Sequence, residues 1–215
     1  MRAPPDLSLY LIVGAADTRR TPFEEVVLSA VAGGVSVVQL RDKQSCTRDQ
    51  LANAKRLKAL LAPRGVPLIV NDRVDVALAA GADGVHLGQD DMPPADARRL
   101  VGAEMLIGTS VHNAREAAGV DPELVDYVGV GPAFGTASKA NPDPAIGPSG
   151  VAELRRRVGL PAVAIGGITA DNANRLADTG VDGVAVISAI CHADDPRTAA
   201  EHIRRTFGAG DLVAG

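Results

Sequence analysis

Eight short apolar runs alternate with eight amphipathic segments along this 215-residue chain. That alternation predicts an α/β protein, a single-domain (β/α)8 TIM barrel over residues 1–215, with loose tails at 1–6 and 208–215. Two further observations support it. The apolar runs are continuous and rich in Val, Ile and Leu, as strands buried on both faces of a parallel sheet are. A tag also recurs: AGGVSVVQL, AGADGVHLG and TGVDGVAVI each close a helix on small residues and enter a strand at once. An open doubly wound sheet is the alternative, but no GxGxxG fingerprint follows the first strand and eight units can be counted.

The predicted strands are Ser8–Val13, Ser36–Leu40, Pro67–Val70, Gly84–Leu87, Met105–Gly108, Tyr127–Val130, Ala162–Ile165 and Gly183–Ile187. The predicted helices are Pro22–Ala32, Arg48–Leu61, Arg73–Ala80, Pro94–Val101, Ala114–Ala118, Pro148–Val158, Asp171–Thr179 and Pro196–Phe207. In the second, Leu51, Ala54, Leu57, Lys58 and Leu61 follow helical spacing. Thr21-Pro22 and Asp195-Pro196 each read as an N-cap followed by proline at the first helical position. No linker or change of composition divides the chain.

Composition removes several function classes. Apolar residues make up 46%, charged residues 22% and aromatic residues 2%, with a formal charge of −4. A nucleic-acid partner is not expected, since there is neither a basic stripe nor a set of aromatic stacking platforms. No stretch approaches the ~18 apolar residues of a membrane span, and the N-terminus lacks a signal-peptide pattern, so the expected compartment is the cytoplasm. Cys46 and Cys191 fit two free thiols. A homo-oligomer is compatible with the sequence, which does not fix the state.

In a (β/α)8 barrel the chemistry sits at the C-terminal strand ends. After strand two, Gln39, Arg41 and Lys43 alternate onto one face, and an Arg–Lys pair at the mouth suits a phosphate; a solvated charge cluster is the plain alternative. Asn71 and Asp72 close strand three, and Asp91 follows strand four. Two carboxylates on one rim suit Mg²⁺, which prefers hard oxygen ligands and keeps waters that phosphates can replace; taken singly, each Asp also reads as a helix cap. Strand five offers Ser110. The long polar loop after strand six carries Thr136, Ala137, Ser138 and Lys139 and reads as a lid. Gly166-Gly167 after strand seven and Ile187-Ser188 after strand eight fall where this fold commonly binds phosphate through backbone N–H groups. His86 reads as a packed strand residue, His112 as helix-start packing with proton transfer as the alternative, and His192 and His202 as surface residues. The rim thus carries two anion sites and a carboxylate pair, a combination suited to joining two small phosphorylated substrates with loss of pyrophosphate.

These segments, VVQLRDK, IVNDRVDVALAAGADGVHLGQDD, IGTSVH, YVGVGPAFGTASK, AIGGIT and DGVAVISAI, resemble the thiamine-phosphate synthase (thiamine-phosphate pyrophosphorylase) family, in the same order over residues 8 to about 207. The resemblance implies a transferase that condenses hydroxymethylpyrimidine diphosphate with hydroxyethylthiazole phosphate, giving thiamine phosphate and pyrophosphate, with Mg²⁺ as cofactor. It implies that Gln39, Leu40, Arg41, Asp42, Lys43, Asn71, Ser110 and Lys139 hold the pyrimidine diphosphate. Asp72 and Asp91 would ligate Mg²⁺, and Thr136, Ala137, Ser138, Gly167, Ile187 and Ser188 would hold the thiazole phosphate. Arg41, Lys43, Ser110 and Lys139 are the implied catalytic residues. The chain departs from the family pattern where Val13-Gly14 replaces Thr-Asp, Gly135 replaces Pro and Ser138 replaces Thr. A thiazole tautomerase of the same superfamily, a phosphosugar isomerase and a phosphate-ligand sensor are the competing readings. None of them calls for both a diphosphate–metal site and a second anion site.

Overall fold

The computed structural model describes residues 5–18, 21–135 and 144–208. Strands β1 (Leu9–Val13), β2 (Val37–Leu40), β3 (Leu68–Asn71), β4 (Gly84–Leu87), β5 (Leu106–Val111), β6 (Tyr127–Val130), β7 (Ala162–Ile165) and β8 (Gly183–Val186) form one closed parallel barrel, with β8 returning to pair with β1. Helices α1 (Phe23–Ala32), α2 (Thr47–Leu61), α3 (Val74–Ala80), α4 (Pro94–Val101), α5 (Ala114–Ala118) and α6 (Gly147–Arg157) follow the first six strands. The short α7 (Ser188–Cys191) and the longer α8 (Pro196–Gly208) follow β8.

Three details differ from the sequence expectation. The segment after β7 is a 3-10 helix, Ala173–Thr179, whose buried residues Ala173, Leu176 and Thr179 recur every third position and so lie on one face of that tighter helix. Pro22, not Thr21, is the N-cap residue of α1, whereas Asp195 does cap α8, accepting the Arg197 and Thr198 N–H groups at 3.0 and 3.2 Å. Strand β5 runs on to Val111, because Thr109, Ser110 and Val111 keep their pairing with Val128, Gly129 and Val130.

Alternation along the strands builds two cores. Residues such as Leu9, Leu11, Val38, Leu40, Val70 and Val128 pack outward against the helices, while Tyr10, Ile12, Val37, Ile69, Tyr127 and Val163 fill the barrel. The interior also holds Gly108, and its lack of a side chain is required. A Cβ there would run into the Tyr127 ring and the His86 Nδ1 atom.

The opposite, N-terminal end is tied by a device repeated four times. The residue preceding each even-numbered strand donates its N–H to a carbonyl at the start of the odd strand before it, and its side chain accepts that same residue's N–H. Ser36 binds Leu9 in this way through its hydroxyl, at 2.9 and 3.1 Å. Asp83 binds Leu68 at 2.9 and 2.8 Å, Asp126 binds Ile107 at 2.8 and 2.7 Å, and Asp182 binds Ala162 at 2.8 Å in both bonds. Each aspartate also receives a cation from the helix preceding the odd strand: Lys58 of α2 at 2.6 Å, Arg98 of α4 at 2.7 Å and Arg155 of α6 at 3.4 Å. The recurring aspartate of the sequence tag is therefore a strand-to-strand link.

Two stability outcomes follow. Replacing Asp126 by Ala removes an acceptor from a buried backbone N–H and leaves Arg98, only 15% exposed, without its carboxylate; we expect a loss of about 2–4 kcal/mol in denaturant unfolding. Asp182→Ala should lose less, since Arg155 and Asp182 are 25% and 44% exposed and their pair is longer. Gly108→Ala should lower stability by about 1–3 kcal/mol through overpacking. Gly159→Ala, where a Cβ meets nothing within 4 Å, is the matched control and should leave the midpoint unchanged.

Candidate active site

The C-terminal mouth of the barrel opens into a cavity of about 820 Å³. Inward alternation delivers Gln39 and Arg41 from β2 and its exit, Asn71 from β3 and Ser110 from β5. The turns after β7 and β8 deliver Gly167, Ile187 and Ser188 from the other side. All seven line the same cavity, so residues up to 149 positions apart (Gln39 to Ser188) meet in one space.

Three of the expected substrate contacts, Leu40, Asp42 and Lys43, do not line this cavity. Leu40 is 2% exposed and packs outward against the helices, as its place between Gln39 and Arg41 dictates. The Asp42 carboxylate organises the turn into α2, accepting the Gln44 and Ser45 N–H groups at 3.3 and 3.0 Å and the Asn53 amide at 3.4 Å. Burial pushes this carboxyl up, but those hydrogen bonds outweigh it and hold Asp42 below the ordinary range. Neither side chain lines the cavity.

Lys43 continues the face of Arg41 and pairs with Asp72, Nζ to Oδ2, at 3.1 Å. Asp72 is in the left-handed region at φ 61, the only described non-glycine residue with a positive φ. Its N–H donates to the His86 carbonyl at 2.8 Å. Asp91 folds back on the turn after β4, its Oδ2 accepting the Gly88 N–H at 2.7 Å. Burial and the neighbouring Asp91 carboxyl both push the Asp72 carboxyl up, and Lys43 pulls it the other way. Two carboxylates crowded together are a donor set that a hard divalent cation fits, with the Lys43 ammonium left to an anion beside it. Among the described residues no third His, Cys, Asp or Glu joins them, so waters or phosphate oxygens would complete a magnesium shell.

The floor of the cavity is where reading the strand ends alone fell short. Tyr10, His86 and Tyr127 all line it. The two hydroxyls lie 2.8 Å apart, Gln39 Nε2 donates to Tyr10 at 2.9 Å, and His86 lies 3.2 Å from Tyr127 and 3.1 Å from Ser110. The signal for them is alternation carried deeper into the strands: Tyr10 precedes Ile12, and His86 and Tyr127 both face Gly108 of the strand between them. His86 is buried and hydrogen-bonded as expected. His112, at the start of α5, holds Nδ1 2.9 Å from Glu116 Oε2 and faces the cavity. His192 is exposed but stands at the mouth, as does Asp17, whose carboxyl burial pushes up.

The strand-six loop is anchored at both described ends. Ile146 and Gly147 donate their N–H groups to Pro132 and Ala133 at 2.9 and 3.1 Å. Thr136, Ala137, Ser138 and Lys139 lie outside the described residues. Gly167 has φ +62, and a Cβ on it would meet the Gly135 carbonyl oxygen. A side chain at Gly167 therefore displaces the loop as well as any phosphate, and substitution there is no clean probe of phosphate binding. Asn172 fixes the glycine turn, donating to the Gly167 carbonyl and accepting the Thr169 N–H, both at 2.9 Å.

Comparison with known proteins gives this geometry its context. Residues 9–190 match the family model described as thiamine monophosphate synthase. The chain is 49% identical to the thiamine-phosphate synthase of Albidiferax ferrireducens over 203 residues, 94% of this chain and 93% of that one. It is 47% identical to that of Azorhizobium caulinodans over 204 residues, 95% and 96% of the two chains. Among solved structures, the thiamine phosphate pyrophosphorylase from Pyrococcus furiosus superposes with a TM-score of 0.85 at 38% identity, covering 98% of each chain. On this family match and these near-full-length relatives, the chain belongs to the thiamine monophosphate synthase family.

Proposed function

We propose that the cavity joins hydroxymethylpyrimidine diphosphate to hydroxyethylthiazole phosphate, releasing pyrophosphate and thiamine phosphate, in a Mg²⁺-dependent reaction. As a member of its family the chain is an enzyme, a transferase acting on small substrates. No helix among the described residues is long and apolar enough to cross a membrane. The observation that carries the reading is the convergence of two separate phosphate-suited rims on one cavity. Arg41 and Asn71 stand on one side and Gly167, Ile187 and Ser188 on the other, with Lys43, Asp72 and Asp91 beside the first.

Arg41 and Lys43 take the diphosphate, the first with a planar fork and the second as a compact charge. Asp72 and Asp91 would hold Mg²⁺, whose charge would offset that of the departing diphosphate. Lys139 adds a further cation from the strand-six loop. As the carbon–oxygen bond to the diphosphate breaks, these groups face the negative charge that grows there, and such preorganised stabilisation is usually the largest catalytic contribution. Gln39 and Ser110 orient the pyrimidine. Gly167, Ile187 and Ser188, with Thr136 to Ser138, hold the thiazole phosphate so that the ring nitrogen is aimed at the electron-poor methylene carbon, which supplies the proximity part of the rate. The thiazole nitrogen attacks that carbon, so no base is needed to create the nucleophile.

The direct test is formation of thiamine phosphate from the two substrates with and without Mg²⁺; no product with Mg²⁺ present sinks the proposal. Asp91→Asn keeps an acceptor for the Gly88 N–H but removes a charge. It should raise the Mg²⁺ concentration for half-maximal rate and lower turnover while the unfolding midpoint holds. An unaltered Mg²⁺ titration refutes the metal role.

Lys139→Ala should lower kcat on the order of 10²–10³-fold, as loss of a charged donor in a preorganised site does. Its effect on the KM for the pyrimidine diphosphate should be smaller, because the contact strengthens toward the transition state. Lys139→Arg should recover only part of the rate. Steady-state kinetics at saturating Mg²⁺ and thiazole phosphate check this. Wild-type kcat with only a raised KM would reduce Lys139 to a ground-state anchor.

A further inference from the structure

The chain has only two tyrosines, and the condensation as described uses neither. Tyr10 and Tyr127 are 1% and 0% exposed, hydroxyl to hydroxyl, inside the barrel. The contact continues at both ends, through Gln39 on one side and through His86 to Ser110 on the other. Five side chains from β2, β1, β6, β4 and β5 thus make one hydrogen-bonded line across the floor. Its two ends, Gln39 and Ser110, are the residues placed against the pyrimidine.

Counting protons gives the line a sense. Burial raises both phenols above their ordinary range, so each keeps its single proton. Tyr10 accepts the Gln39 amide N–H, and either hydroxyl of the tyrosine pair can donate to the other; the sense that uses the Tyr10 proton within the line has Tyr10 donating to Tyr127. In that sense Tyr127 donates to His86 Nδ1. A neutral imidazole that accepts at Nδ1 carries its proton on Nε2, from which it donates to Ser110. At the ends, Gln39 keeps its carbonyl Oε1 and a second amide N–H and so can meet either kind of partner, whereas Ser110, already accepting, has its own O–H to give. The Ser110 end of the floor is therefore a donor. A 4-aminopyrimidine complements it with an accepting ring nitrogen beside the amine. The 4-oxo counterpart carries a proton on that nitrogen.

We infer that the Tyr10–Tyr127 pair is a positioning device that fixes the donor–acceptor polarity of the pyrimidine pocket and so selects an aminopyrimidine over its oxo counterpart. The inference rests on the proposed pyrimidine site, so its test has one arm that needs no turnover. In ¹⁵N-histidine NMR of the full chain, with the His86 signal identified by its loss in His86→Asn, wild-type His86 should be the Nε2–H tautomer. Tyr127→Phe should shift it toward Nδ1–H. In kinetics, Tyr127→Phe and Tyr10→Phe should each lower the preference in kcat/KM for the 4-amino over the 4-oxo diphosphate by more than about tenfold, because a site built around hydrogen bonds discriminates through them. The KM for thiazole phosphate should not move. A purely structural role predicts loss of activity toward both analogues in equal proportion, which would overturn the inference. So would a wild-type His86 protonated on Nδ1, whether neutral or charged, since the line would then run the other way. If Tyr127→Phe does not fold, Tyr10→Phe and the wild-type tautomer decide. If the wild type makes no thiamine phosphate, the proposed function fails while the tautomer still tests the sense of the line.

Discussion

Barrel closure depends on register, and register here is fixed from below. Ser36, Asp83, Asp126 and Asp182 each hold a residue at the start of the strand behind them (Leu9, Leu68, Ile107 and Ala162) by both its N–H and its carbonyl. A single such bond is worth about 1 kcal/mol net. Their larger effect is geometric, because a one-residue slip of any strand would exchange its inward and outward side chains. A slip of β2 would turn Gln39 and Arg41 into the helical layer and bring Leu40 into the mouth. The chemistry at the C-terminal end is thus indexed by the links at the N-terminal end.

Correct register then allows an uneven interior. Below the mouth, large side chains from some strands are matched by glycines in others. Tyr127 and His86 occupy the space that Gly108 leaves, and Gly129 lies beside the His86 ring. Protein interiors have no spare volume for both partners to be large. The gaps in the sequence are therefore as informative as the side chains: without Gly108 the hydrogen-bonded floor would have no room, and Gln39 and Ser110 would lose their common support.

Periodicity carries one kind of information and spatial pairing another, which explains what the sequence made legible. All eight strands and the order of the rim motifs could be read from apolar runs and strand ends, and Arg41, Asn71, Ser110, Gly167, Ile187 and Ser188 do meet in the cavity. The end of β5 was set three residues early because Gly-Thr-Ser resembles a turn, whereas pairing with β6 keeps it extended. Leu40 and Asp42 sit inside one sequence motif with Gln39 and Arg41, yet alternation sends Leu40 outward and local N–H groups claim Asp42. The Tyr10–Tyr127 contact joins residues 117 positions apart, and no local pattern announces a pair of that kind. The seven-residue 3-10 segment after β7 depends on which face the barrel offers it, which helical spacing alone does not reveal.

Strand β4 is where floor and rim become one structure. The His86 side chain belongs to the hydrogen-bonded floor, while its carbonyl receives the Asp72 N–H at 2.8 Å. Two residues on, the Gly88 N–H holds the Asp91 carboxylate. Both proposed metal ligands are therefore referenced to the backbone of β4 and the turn after it, the strand whose side chain completes the hydrogen-bonded floor. Asp72 reaches its place only by entering the left-handed region, a conformation that costs on the order of 1–3 kcal/mol for a residue with a side chain and that Asp tolerates better than most. That turn interrupts strand alternation and brings the carboxylate over the rim to Lys43 and Asp91. The strain makes physical sense as the geometric requirement for setting two like charges side by side, where a bound cation would sit between them.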